Sequence, residues 1–252
     1  MDNTDTKKVL DTLREKIAAY EPAIMAEASG KVLRVGDGVA RISGLKKVKA
    51  FELLDINGVP AIAANLELAE VGAIILGDGK KVAEGATVTA TGRVLEVPVG
   101  EEMIGRVINP LGEVLDGKPK VNTKTFYPIE RVAPGVIIRE PVSVPLMTGV
   151  KIIDAMIPIG RGQRELIIGD RGTGKTALAI DAIVNQRGQD VVCIYVAIGQ
   201  KESKIARIAK ELADRGALDY TTIVMAGASD PAALLYLAPF AGAALAEYFM
   251  DQ

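Results

Sequence analysis

The sequence predicts an α/β plus β chain: an N-terminal helix, a small six-stranded β-barrel, and a phosphate-loop domain built on a parallel sheet. Three observations carry this. Short Val/Ile/Leu-rich runs broken by Asp-Gly and Asn-Gly pairs fill residues 31–97. Strand-like and helix-like runs alternate from Gly149 onward. Between them a glycine-rich turn, "GDRGTGKT", follows the apolar run "ELII" and precedes a helix-forming run.

The elements follow in order. "TKKVLDTLREKIAAYEP" places Leu10, Leu13, Ile17 and Tyr20 at steps of three and four, one face of a helix, and Pro22 stops it. Two roles fit this helix equally, packing on its own domain or docking another chain. From Lys31 the runs "KVLRV", "VARIS", "AFELLDI", "VPAIAANL", "VGAIIL" and "ATVTATGRVLEV" read as barrel strands ending near Val94–Val97. Asp37-Gly38, Asn57-Gly58 and Asp78-Gly79 are expected to supply positive φ for tight turns. The barrel shows neither an acidic cluster nor an aromatic platform, which marks it as an assembly module. The boundaries are 1–24 for the helix, 25–95 for the barrel and 96–252 for the nucleotide-binding part.

After an irregular Pro/Gly passage the α/β pattern begins. "RELIIG" is expected as the strand before the loop, "KTALAIDAIVNQ" as a helix and "DVVCIYVAIG" as a buried strand. "ESKIARIAKELADRG" follows as a helix and "TTIVMAGA" as a strand. "PAALLYLAPFAGAALA" carries no charge but is interrupted by Pro239, so a buried helix is expected and not a membrane span. No strand follows "AEYFMDQ", so the sheet is expected to be incomplete.

Composition narrows the chemistry. The 252 residues hold 30 Lys and Arg against 32 Asp and Glu, so no basic excess points to nucleic acid. Histidine is absent, which removes imidazole bases and His-containing metal sites. The single cysteine, Cys193, cannot form an internal disulfide and reads as a small buried hydrophobe. "MDNTDTKK" lacks the apolar core of a secretion signal.

Gly169, Gly174, Lys175 and Thr176 satisfy G-x-x-x-x-G-K-[ST]. Glycines let backbone amides curl around phosphate oxygens, Lys175 places a cation on the β- and γ-phosphates, and Thr176 offers a hydroxyl to Mg²⁺. The binding stretch is therefore Gly169, Asp170, Arg171, Gly172, Thr173, Gly174, Lys175 and Thr176, with ATP or ADP and Mg²⁺ as ligands. Hydrolysis also needs a group that orients water. The strand after the loop helix ends in Gln200, an amide that can hold water but cannot accept its proton at neutral pH. Glu202 is the nearest carboxylate rival. Asp230, before a proline, reads as a turn or cap and not as a metal ligand.

"TGVKIIDAMIPIGRGQRELIIGDRGTGKTALAIDAIVNQ" followed by "CIYVAIGQKES" closely resembles α subunits of rotary F-type ATP synthases. So do "GDGVARISGL", "GRVLEVPVG", "GRVINPLG" and "APFAGAALAEYF", and the likeness runs through essentially the whole chain. It implies a RecA-like nucleotide domain that holds Mg-ATP without turnover, with Gln200 standing where the catalytic β subunit has glutamate. It also implies an alternating α3β3 ring with β subunits, a γ central stalk, and a δ/peripheral-stalk contact through the first helix. Direct membrane insertion and nucleic-acid binding are not part of it. The site would be peripheral, at the cytoplasmic face of a bacterial inner membrane or an equivalent energy-transducing membrane. Two departures stand out. The family usually has Gln where this chain has Gly172, so no side chain reaches the nucleotide from that position. The family also continues past Gln252, so the metal-side strand, the arginine that reaches the neighbouring β site and the C-terminal helical domain are missing, as in a fragment or truncated product.

Rivals make different demands. A protein-export ring ATPase would carry glutamate at Gln200, and a vacuolar-type B subunit would lack an intact phosphate loop. A hexameric RNA translocase would need a basic, aromatic barrel face, whereas Phe51 is the one aromatic there. An inert remnant would bind nothing.

Overall fold

The computed structural model describes residues 28–252; the expected N-terminal helix lies outside the described residues. β1 (Ser29–Gly36), β2 (Val39–Gly44), β3 (Glu52–Ile56), β4 (Val59–Leu66), β5 (Glu70–Ile75) and β6 (Thr87–Val94) close into an antiparallel barrel, ordered β1-β2-β5-β4-β3-β6. Alternate residues point inward. Ile42, Leu54, Ile56, Ile75 and Val88 fill the interior beside Ala40, Ala61, Ala63 and Ala73, and closure removes the unpaired edges an open sheet would carry. Register shifts at Val32/Arg34, Glu52/Leu54 and Ala63/Asn65 bend the strands around the corners. Buried Glu52 serves one of these corners, its carboxylate accepting from the amides of Lys49 and Gly92, both at 2.8 Å.

Two of the three expected tight turns form: Asp37-Gly38 and Asn57-Gly58 each hold paired positive φ. Asp78-Gly79 does not. Asp78 has φ −69° and its carboxylate accepts from the Lys80 amide (3.1 Å), capping a 3-10 turn over Gly79–Lys81. The reason is chain length: eleven residues separate β5 from β6, so a two-residue reversal is not required there.

β7 (Glu96–Val99) leaves the barrel and pairs with β9 (Thr125–Pro128). Between them lies β8 (Val107–Ile108), in the passage that the sequence shows only as irregular. That passage is anchored by Arg106 and Asp116, nearly buried, which meet in two parallel bonds of 2.7 and 3.0 Å. Further on come β10 (Pro145–Leu146), the short α1 (Lys151–Met156), β11 (Ile159–Gly160), α2 (Lys175–Val184), β12 (Cys193–Gln200), α3 (Glu202–Asp214), β13 (Thr221–Gly227) and α4 (Ala232–Asp251). A parallel sheet runs β12-β13-β8, with α4 on one face and α2 and α3 on the other.

α4 passes the length and composition test for a membrane span. Its Leu234, Leu237, Ala238, Ala241, Ala244 and Leu245 are nevertheless buried against β7, β12, β13 and the underside of the barrel, so it is a core helix. Gly242 sets how closely it lies on β12: a Cβ there would stand 2.4 Å from Val196 Cγ2.

Arg164–Gly169, expected as the strand before the loop, is not a strand. No neighbour pairs with it among the described residues, and Leu166 and Ile168 are 81% and 84% exposed. An apolar strand of a parallel sheet depends on partners along its edges and helices over its faces, and here it has neither. The outer edge of β12 is likewise unpaired in the sheet order.

Two outcomes follow. Gly242→Ala is expected to cost about 1–3 kcal/mol of unfolding free energy by overpacking, read by urea denaturation. The Arg106 guanidinium holds the Asp116 carboxyl at about 2, below the ordinary carboxylate range. The unfolded chain therefore binds that proton first as pH falls. The pair's stabilisation is complete above about pH 4 and lost toward about pH 2. Asp116→Asn should flatten the loss of stability across that window in thermal melts.

Candidate functional site

The glycine-rich turn leads into α2 as the motif requires. Gly174, the N-cap, sits in the left-handed region (φ 91°, ψ 5°) and no side chain caps the helix, which leaves its first amides free of side-chain acceptors. Gly172 is also left-handed (φ 84°). Thr173 Oγ1 donates to the Asp170 carbonyl at 2.8 Å. Lys175 Nζ donates to the carbonyls of Gly169, at 2.6 Å, and of Asp170, folding the side chain back over the loop. Gly169, Asp170, Arg171, Gly172, Thr173 and Gly174 are exposed, while Lys175 and Thr176 are half-buried at the start of the helix.

The helix is fastened at its other end. Tyr220, immediately before β13, donates through its phenol toward the carbonyls of Ile183 (3.0 Å) and Val184 (3.1 Å). Arg215 pairs with Asp181 at 3.1 Å, and Asn185 and Gln186 both donate to the Met147 carbonyl, at 2.7 and 2.8 Å. Ile180 on the inner face of α2 joins Ala197 and Ile223 of the sheet in one buried cluster. Its C-terminus is thus pinned where β13 begins. A ten-residue helix is about 15 Å long, so the loop at its N-terminus lies toward the end of the sheet where the strands finish. Ligands of open α/β sheets bind at that carboxyl end.

Gln200 ends β12 at this same edge, opposite Gly227 of β13. Its backbone carbonyl accepts from the Ala228 amide at 3.1 Å, whereas its side-chain Oε1 is buried with no hydrogen-bond partner among the described residues. A buried acceptor without a donor is costly, and a bound water or ligand donor would remove that cost. Asp230 is spent on a turn: its Oδ2 accepts from the Gly227 amide at 2.6 Å. No group of three or more potential metal-binding side chains exists among the described residues. Cys193, at the opposite end of β12, is half-buried, and desolvation pushes its thiol up to about 11.

The arrangement suits a polyphosphate. Free helix amides and a lysine converge at one loop, and the Cβ positions of Gly172 and Gly174 have open space around them. The residues fit the group. Sequence reasoning found the loop and Gln200 but missed Tyr220, Asn185 and Gln186, which hold the helix and carry no motif.

Two family models match the chain. The ATP synthase alpha/beta family, beta-barrel domain, covers residues 25–92 and the ATP synthase alpha/beta family, nucleotide-binding domain, covers 149–252. The chain belongs to the ATP synthase alpha/beta family. It is 53% identical over 250 residues to the ATP synthase subunit alpha of Desulforudis audaxviator (strain MP104C), across 99% of its own length and 49% of that relative's. The chain therefore spans about half the length of this relative. Within the alpha/beta family frame, β1 to β5 and most of β6 fall in the first matched region and the phosphate loop, Gln200 and α4 in the second.

Removing the phenol in Tyr220→Phe should lower unfolding free energy by about 1 kcal/mol, measured by urea denaturation, since both α2 carbonyls lose their donor.

Proposed function

We propose that this chain is the barrel and nucleotide-holding part of a non-catalytic α subunit in the F1 sector of a rotary ATP synthase. That complex makes ATP from ADP and phosphate at the expense of a transmembrane proton or sodium gradient. The observation that carries the reading is the joint placement of a G-x-x-x-x-G-K-T loop and an amide, not a carboxylate, at the end of β12. In it, residues 25–95 are an assembly module and 96–252 hold nucleotide.

The amides of Gly169–Thr176 would hold the phosphates of ATP or ADP, the Lys175 ammonium would turn from its carbonyl contacts to phosphate oxygens, and the Thr176 hydroxyl would hold Mg²⁺. Bound Mg²⁺ would supply neutralisation of phosphate charge. The Gln200 amide can orient a water through its unpartnered Oε1, but cannot remove that water's proton. Nucleotide is held and not split. The family membership and the likeness to a subunit alpha support β subunits as ring neighbours, the γ stalk at the centre and δ at the helix expected near the N-terminus. They also support a location on the cytoplasmic face of a bacterial inner membrane or its equivalent.

The 252-residue chain is expected to show no ATP turnover in a coupled assay. Mg-ATP should raise its melting temperature, a shift that Lys175→Ala abolishes. Hydrolysis that disappears in Lys175→Ala would overturn the non-catalytic assignment. Absence of any nucleotide-dependent shift would favour a chain that binds no nucleotide.

A further inference from the structure

We propose that Gly172 is a positioning residue that pre-forms the phosphate loop, so that no binding free energy is spent on forcing its left-handed turn. This rests on the nucleotide-holding reading above and deepens it. Position 172 is one of the motif's four variable places, so glycine there belongs to this chain and not to the pattern. Its φ is 84°, two residues before the left-handed Gly174 at 91°. Together the two turns bring the chain back sharply enough for Lys175 Nζ to reach the Gly169 carbonyl six residues behind it, at 2.6 Å.

Space does not demand glycine. A Cβ built at 172 would meet nothing within 4 Å. The backbone does: a residue with a Cβ is strained in the left-handed region, glycine is not, and asparagine is strained only slightly. Where that cost would appear depends on the surroundings. Gly169–Gly174 are exposed and no buried contact holds the 172 position. A side-chain-bearing variant can therefore relax its backbone elsewhere while the chain is free of nucleotide, with little effect on the fold. Binding would force the left-handed turn back, and the strain would weaken affinity.

The test uses the full 252-residue chain, with Mg-ATP binding measured by titration calorimetry and ligand-free melting temperature measured separately. Gly172→Ala should bind about tenfold more weakly, about 1.4 kcal/mol, with its ligand-free melting temperature unchanged. Gly172→Asn should recover most of the loss. If wild type binds and Gly172→Ala matches it, the inference falls and nucleotide holding stands. If Gly172→Ala binds weakly, its ligand-free melting temperature also drops and Gly172→Asn fails to rescue, the residue is merely structural and the inference falls. If wild type itself gives no binding heat, and equals Lys175→Ala, the nucleotide reading falls and takes this inference with it.

Discussion

The parallel pairing of β12 with β13 is the constraint on which the nucleotide part rests. Seven register pairs run from Cys193 with Thr221 to Gln200 with Gly227, so both strands finish at one edge. Everything with chemical potential gathers there: the end of Gln200, the Asp230 turn on Gly227, and the N-terminal end of α2. The pairing is held from both faces. On one side α4 lies so close at Gly242 that a single Cβ would collide with Val196. On the other, Ile180, Ile205, Ile208 and Leu212 seal the helices onto Ala197 and Ile223.

The barrel and the nucleotide part solve the edge problem differently. The barrel closes, so its backbone groups pair in a ring and its core of Ile, Leu and Ala is complete. The parallel sheet has an open edge on β12, and the run Arg164–Gly169, the apolar segment leading into the phosphate loop, has no pairing partner among the described residues. Leu166 and Ile168 within that run, and Val132 and Ile137 well before it in the chain, are each more than 80% exposed. The loop keeps its shape through local bonds instead: Thr173 and Lys175 satisfy the carbonyls of Gly169 and Asp170, and the C-terminal pins of α2 fix where the helix points.

Charge placement at the strand ends sets what the site can do. The carboxylate of Asp230 is tied to the Gly227 amide, while the Gln200 amide ends β12 and Glu202 opens α3 close to Gly227 at the same edge. The Gln200 Oε1 lacks a donor among the described residues. A group of that kind can accept a hydrogen bond from a guest, yet its basicity is too low to activate water at neutral pH.

Local chemistry made much of this legible in advance. Val/Ile alternation with Asp37-Gly38 and Asn57-Gly58 announced the barrel hairpins, because paired positive φ is a property of the residues themselves. The phosphate loop, the helices from Lys175 and Glu202, and the strands ending at Gln200 and Gly227 were equally plain from motif and periodicity. Asp78-Gly79 misled because a turn signal does not reveal how many residues the connection must span, and "RELIIG" misled because an apolar run becomes a strand only where neighbours accept its hydrogen bonds. The sequence by itself determined that a glycine-rich, lysine-bearing loop opens α2 and that an amide ends β12. Only the tertiary structure decided that β8 joins the sheet, that Tyr220 pins α2 and that Gln200 Oε1 is buried without a donor. Those depend on groups far apart in the chain meeting in space, which no local pattern encodes.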